Sequence, residues 1–425
     1  MEKSVASYLR LIGESMKQEE QEYLLSNKEI ESAYAYSIKG KMFPILCNTV
    51  LKHSEDKELP LLKEWKGKTM ALVMKQYRVY AALRKLLSQA KEEGIQLILF
   101  KGSVLADLYP QYVFRISNDT DLYVYKKDRE KASKLLERMG YEYLKDHSNP
   151  MVLVYYNREE KHRVELHFCL WEDYEGEQMD VLRALRLDAE ERLVQLSICG
   201  GMQVTTLGFT EHLIYQIFHI VKHFVLQGVG IRYAVDIALY VNQYAEKIDW
   251  EDFWEKISKL GYDKFCEGIF SIGIQYFGMN TQCMCGREIL QGKVLEDLVM
   301  DFVNAGKIIE EEKAAGWQIL GIMTPYLEGK QGYEMSKWKR NIKVMFPSGN
   351  SLSEDYQYAK NHKVLLPIAW IHRGINFGKK RIFKRKDWYS MGEKLEIVNY
   401  RLMLMEELAL IGKEKSKNTK EHKKK

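Results

Sequence analysis

Two runs decide how this chain folds: Ile95-Gln96-Leu97-Ile98-Leu99-Phe100-Lys101-Gly102-Ser103, and then Asp119-Thr120-Asp121-Leu122-Tyr123-Val124-Tyr125. The apolar segment Ile95 to Phe100 is too short for a helix and reads as a buried strand. Upstream, Val79, Leu83, Leu86 and Ala90 form one stripe of an amphipathic helix, and Gly94 supplies its stop. Lys101-Gly102-Ser103 breaks the strand, and Val104 to Tyr109 predicts a short helix ending before Pro110. Asp121 to Tyr125 predicts a second strand.

Working outward, Asp128 is placed to cap a helix whose buried stripe is Ala132, Leu135, Leu136 and Met139, closed by Gly140. Met151 to Tyr156 and Arg163 to Leu170 predict a hairpin around the polar turn Asn157 to His162. Strand, helix, strand, helix and then antiparallel strands define an α+β fold with a small mixed sheet, not a doubly wound dinucleotide fold. No G-x-G-x-x-G or G-x-x-x-x-G-K-[ST] run stands at the strand–helix junction.

On this reading residues 1–94 are an N-terminal helical segment, 95–205 the α+β core and 206–325 a helical domain. Residues 326–412 are a helical or irregular C-terminal region, and 413–425 a basic disordered tail. In the helical part, Thr210 and Glu211 open a helix with the stripe Leu213, Ile217, Val221 and Phe224. Gly228 and Gly230 interrupt it before a second helix, Arg232 to Tyr244. Further helices are expected over 250–279, 286–320 and 388–412.

The formal net charge of +5 resides entirely in the tail from Lys413 to Lys425, with its seven lysines and two glutamates, so it does not argue for a nucleic-acid partner. Six dispersed cysteines, including the pair Cys283 and Cys285, form neither a disulfide framework nor a zinc-like spacing, which fits reduced thiols. The N-terminus lacks a signal peptide's apolar core. No run reaches the ~18 to 20 apolar residues of a membrane span. The expectation is a cytoplasmic chain.

Asp119 and Asp121 lie two residues apart on an extended segment, hence on one face with Cα atoms about 6.6 Å apart. Two carboxylates so placed repel by about 4 kcal/mol at 4 Å unless they splay into water or share a cation. Oxygen ligands favour a hard ion, Mg²⁺ or Mn²⁺. Gly102-Ser103 opens a helix directly after a strand, where backbone N–H groups suit a phosphate. Glu165 sits mid-strand on a face shared with Arg163, His167 and Cys169, opposite Val164, Leu166 and Phe168. An acid there calls for either a solvated or a functional face. His219 and His223, and likewise Arg232 and Asp236, are spaced i, i+4. An interdomain role for the first pair and a helical ion pair for the second are the default expectations.

Leu99-Phe100-Lys101-Gly102-Ser103, Arg115, Asp119-Thr120-Asp121-Leu122 and a helix ending Gly140-Tyr141 together resemble the bacterial uncharacterised nucleotidyltransferase family, of the DNA-polymerase-beta-like superfamily. Val164-Glu165-Leu166-His167 is similar to its acid-Leu-His element. His219, His223, Arg232 and Asp236 resemble its helical pattern, and Pro347 to Trp370 its C-terminal stretch. The resemblance spans about residues 65–375 and is most specific over 97–170. Thr120 stands where an apolar residue is usual, and Glu165 where Asp is more frequent.

The resemblance implies a metal-dependent nucleotidyltransferase, moving a nucleotide from a nucleoside triphosphate to an acceptor hydroxyl with release of pyrophosphate. It implies that Asp119, Asp121 and Glu165 are catalytic and hold Mg²⁺ or Mn²⁺, that Gly102 and Ser103 meet the phosphates, and that Arg115 and Lys101 neutralise phosphate charge. For Lys101 a structural salt bridge is the default expectation. His167, His219, His223, Arg232 and Asp236 are candidate substrate or interdomain residues. The acceptor stays open between small molecule, protein and RNA. Two alternatives also stay open: a toxin-like or antibiotic-modifying enzyme, and a member that binds nucleotide or a partner protein without turnover. The basic cluster Lys379 to Lys386, with Phe383 and Trp388, is the one candidate for an RNA groove.

Overall fold

The computed structural model describes residues 1–17, 22–171, 177–226, 228–304, 356–360, 363–372 and 391–411. The two deciding runs become β1 (Leu97–Phe100) and β2 (Thr120–Val124), paired antiparallel with Phe100 opposite Asp121. The predicted hairpin forms as β4 (Val152–Asn157) and β5 (His162–His167), and β5 runs parallel to β2. With β3 (Glu142–Tyr143), β6 (Val194–Ile198) and β7 (Met202–Thr206), one mixed sheet results, in the order β3-β4-β5-β2-β1-β7-β6. The fold is α+β.

Alternation along the central strands sorts side chains between two cores. Leu97, Leu99, Leu122, Val124, Val164 and Leu166 pack under Leu83, Leu86 and Ala90 of α4 (Pro60–Glu92) and Leu135 and Leu136 of α6 (Arg129–Arg138). The opposite parity, Ile98, Phe100 and Tyr123, enters a second core built with α8 (Phe209–Leu226) and α9 (Arg232–Tyr244). Asp121, Glu165 and His167 share that parity. The candidate site therefore faces the helical layer, and both sheet faces are covered.

The N-terminal helices α1 (Lys3–Lys17), α2 (Asn27–Lys39) and α3 (Phe43–His53) join the second core, where Leu9, Ile12 and Leu46 pack with Ile269 and Phe270 of α11 (Asp263–Phe277). Approach is close: a Cβ on Gly13 would stand 2.8 Å from the Tyr276 carbonyl oxygen. Each large aliphatic side chain buried here contributes about 1.5–3 kcal/mol, so these helices are bound to the C-terminal half by the same effect that holds the sheet.

Several elements depart from the sequence reading. The hairpin β6–β7 was not anticipated, although Val194, Leu196 and Ile198, the turn Cys199-Gly200-Gly201, and Met202 and Val204 carry its alternation. The stretch 250–279 is two helices, because Gly261 takes the left-handed conformation (φ +71°) after α10 (Trp250–Leu260). β5 ends at His167, three residues short of Leu170. The short helix α5 spans Gly102–Ala106 and not Val104 to Tyr109. Asp128 precedes α6 without capping it; its Oδ2 accepts from the Gln96 N–H instead. Beyond α12 (Gly292–Val303), the next long described helix is α13 (Met391–Glu407). Of the helix expected over 286–320, residues 292–303 form α12, while 305–320, Pro347, the cluster Lys379 to Lys386 with Phe383 and Trp388, and the tail 413–425 lie outside the described residues. All six cysteines are unpaired, and among the described residues no helix is long and apolar enough to cross a membrane.

Candidate active site

Register builds the site. Asp121 is paired directly with Glu165 across the parallel strands β2 and β5, and Asp119 precedes β2 with the same parity as Asp121. His167 follows on the Glu165 face, completely buried against the edge of the Phe100 ring, 5.1 Å between centroids. The polar face of β5 is buried at His167 and partly exposed at Arg163 and Glu165. Asp121, Glu165 and His167 each present a ligand atom within 4.8 Å of the others. Below β2, Thr120 Oγ1, His162 and Tyr141 Oη form a buried hydrogen-bonded chain (2.8 and 2.7 Å) that pins the two strands together.

The three acids differ electrostatically. Burial opposes the charge of Asp121, but the Lys101 ammonium (Nζ–Oδ1 2.8 Å) and His167 (Nε2–Oδ1 3.0 Å) hold its carboxyl well below the usual carboxylate range. An ionised carboxylate only accepts, so His167 Nε2–H is the donor. Asp119 is raised by burial and by the charge of Asp121; Glu165 is raised by burial and by Asp121 and Asp119 together. Two partly buried acids held against a third charge are destabilising as they stand. That is the arrangement a cation relieves, and the carboxylate oxygens suit a hard one.

Lys101 joins the strand to α5 at φ +56°, ψ −131°, a conformation rare outside glycine that costs about 1–3 kcal/mol. Among the contacts that hold it are Nζ to Asp121 and its backbone N–H donating to His212 Nε2 at 3.1 Å. Burial lowers the His212 pKa to about 3, which keeps the ring neutral and able to accept. The expected salt bridge of Lys101 is thus present, with a catalytic candidate as its partner.

Arg115 is held by a carboxylate and lines the smaller of two recesses beside the acids. It is 4% exposed and forms a two-pronged pair with Asp236, while its Nη1 donates to the Gly102 carbonyl at 2.9 Å. Tyr109 Oη donates to the same Asp236 at 2.7 Å. A Cβ on Gly102 would meet Arg115 Nη1 at 2.8 Å, so glycine is required here for the guanidinium's approach. The pair expected between Arg232 and Asp236 does not form, because Asp236 points into the sheet module and Arg115 takes both its oxygens. Ser103 is 3% exposed and lines neither recess described below.

A cleft of about 480 Å³ lies over the acids, lined by Asp119, Asp121 and Glu165 on the sheet side. Lys39, Gly40 and Lys41 come from the end of α2 and its turn, and His219, Lys222, His223 and Arg232 from α8 and α9. Two glycine-bearing turns meet at its rim, with Gly230 against the Gly40 backbone. The His219 and His223 rings meet edge to face at 4.4 Å, and His219 stacks on Tyr215. Burial, then the Lys101 charge, pushes His219 well below its ordinary value. Among the described residues no metal-ligand group includes this pair.

Sequence reasoning missed Lys39, Lys41, Lys222, His162 and His212. Lys-Gly-Lys at a helix end reads as an ordinary turn, and nothing local marks a histidine as the acceptor for a strained backbone N–H.

The sheet, its in-register acids and the basic cleft form one site. The family described as uncharacterised nucleotidyltransferase matches residues 26–278, more than half of the chain, and the chain belongs to it. It is a nucleotidyltransferase, a transferase of phosphorus-containing groups. The match begins before the expected limit at 65 and takes in α2, α3 and the Lys39–Lys41 turn; it ends at α11. No curated protein and no solved structure matches the chain.

Proposed function

We propose that this enzyme transfers a nucleotide from a nucleoside triphosphate to an acceptor hydroxyl in a divalent-metal-dependent reaction that releases pyrophosphate. The observation that carries the reading is the register Asp121 to Glu165 across parallel strands, with Asp119 two residues upstream at the floor of a basic cleft. Asp119, Asp121 and Glu165 are the residues that would hold the ion. When bound, Mg²⁺ or Mn²⁺ would neutralise phosphate charge and polarise the phosphoryl group whose phosphorus is attacked. His167 fixes the Asp121 carboxylate by donating to Oδ1. Lys101 lines the cleft and offsets anionic charge near the acids. Glu165 would also help to take the acceptor's hydroxyl proton. The bond formed joins the acceptor oxygen to the α-phosphorus, and the bond broken is the bridge to the β-phosphate. Arg115 acts through Gly102 as a positioning residue.

The test incubates the protein with each labelled nucleoside triphosphate, Mg²⁺ and a cell extract. A labelled product absent from the Asp119→Ala control supports the proposal, and its nature assigns the acceptor to RNA, protein or a small alcohol. No transfer under any condition sinks it. A second reading, binding without turnover, draws on the Lys101 ammonium already seated on Asp121; nucleotide-dependent thermal stabilisation with no pyrophosphate release would favour it.

A further inference from the structure

Arg232 and Gln216 leave a polar problem unsolved inside the protein. Arg232 is 8% exposed, and among the described residues no carboxylate pairs with it, since Asp236 is committed to Arg115. One guanidinium nitrogen donates to the Ile116 carbonyl, and Nε has no partner. Gln216 on α8 is 5% exposed, and neither its amide nitrogen nor its amide oxygen is hydrogen-bonded. Both residues line a recess of about 80 Å³ that shares Lys101, Asp119, Asp121 and His219 with the main cleft. Asp119, Asp121 and Asp236 also line the recess, but none is within ion-pair distance of Arg232; a buried guanidinium so placed and a buried amide without partners are both costly. A ligand that accepts from the guanidinium and pairs with the amide would satisfy both. Cations also gather here: Lys41 is close enough to feel the Arg232 charge, and Lys222 lines the same cleft.

We propose that Arg232 and Gln216 form a phosphate-binding subsite beside the carboxylates. The guanidinium matches the geometry and charge of a phosphate group. The Gln216 N–H₂ donates to a second oxygen, and its Oε1 accepts from a hydroxyl or water that accompanies the ligand. The inference rests on the nucleotidyl-transfer reading only for the source of the phosphate, either the donor's polyphosphate chain or a phosphate on the acceptor.

Calorimetric titration with tripolyphosphate and with inorganic phosphate, in EDTA, tests the subsite apart from the metal-binding acids. The wild type is expected to bind tripolyphosphate. Arg232→Gln weakens binding about tenfold or more, the effect of losing one charge-assisted hydrogen bond. Gln216→Met weakens binding too, yet leaves the ligand-free melting temperature unchanged or higher, because it removes unpartnered polar atoms. A water-bridged structural glutamine would show the opposite, lower stability with unchanged binding, and that result overturns the proposal, as does equal binding in all variants. Displacement of tripolyphosphate by nucleoside triphosphate assigns the subsite to the donor; phosphate bound alongside the nucleotide assigns it to the acceptor. Arg232-dependent binding without any label transfer keeps the subsite and sinks the transfer reading. Asp119-dependent transfer with unaltered binding in Arg232→Gln does the reverse.

Discussion

Arg115 and Asp236 clasp one another across the seam between the sheet and the helical layer, with Nε and Nη2 at 2.8 and 2.7 Å from the two carboxylate oxygens. The side chains are 5% and 2% exposed, so the pair exchanges two hydration shells for one geometry. That geometry also fixes Gly102, through Nη1, and leaves Arg232 without its helical neighbour.

Removing one partner leaves a buried charge alone. Asp236→Ala is expected to cost about 3–5 kcal/mol in chemical denaturation. The double variant Arg115→Met/Asp236→Leu should be less destabilised than the sum of the two single changes, because no charge is then stranded. Additive losses would mean that the clasp contributes only packing.

The acids predict opposite responses to neutralisation. Glu165→Gln relieves repulsion by Asp121 and Asp119 and gives up a partly exposed contact with Arg163, worth at most about 1 kcal/mol. Its metal-free melting temperature should equal or exceed that of the wild type, while nucleotidyl transfer falls by more than about 100-fold, beyond the loss typical of groups that merely support a metal ligand. Asp121→Asn should instead lower the melting temperature, since its charge anchors Lys101 and His167. A fall in both variants would argue that Glu165 is a structural ion-pair residue.

Buried histidines set the acid limit. Burial lowers His162 to about 4, His212 to about 3 and His219 well below the ordinary 6.5. A depressed folded value means that the unfolded chain takes protons the folded one refuses, so stability present above pH 6.5 is lost as pH falls below it. Each such group contributes a slope of about 1.4 kcal/mol per pH unit, or about 4 for the three together. The raised values of Asp119 and Glu165 act in the other direction, stabilising the fold as those acids protonate, and offset part of the slope. Urea denaturation in EDTA from pH 7.5 to 4.5 should show this decline. His162→Gln should flatten it by about one proton; an unchanged slope would place the acid sensitivity elsewhere.

Much of the sheet was legible because strands leave a local trace. Ile95 to Phe100 was apolar and short, and the hairpin from Met151 onward alternated. The β6–β7 hairpin went unread although Gly200-Gly201 sat between two alternating runs, because its strands carry polar residues on one face. The break at Gly261 was hidden by apolar periodicity on both sides. Glu165 was recognisable as a candidate only beside the Asp-x-Asp. Its facing of Asp121 depends on a parallel pairing that no local pattern encodes.

The sequence by itself determined that Asp119 and Asp121 stand two apart at the start of a strand, a spacing that favours one face, and that a glycine follows Lys101. It also determined the alternation that turns Leu122 and Val164 to one core and leaves Asp121 and Glu165 for the other. Only the tertiary structure decided that Asp236 pairs with Arg115 and not with Arg232, one helical turn away. Both pairings satisfy the local chemistry. The choice falls to the packing of α9 against the sheet, and it leaves Arg232 facing the acids with Gln216 and Lys41 nearby, from segments far apart in the chain.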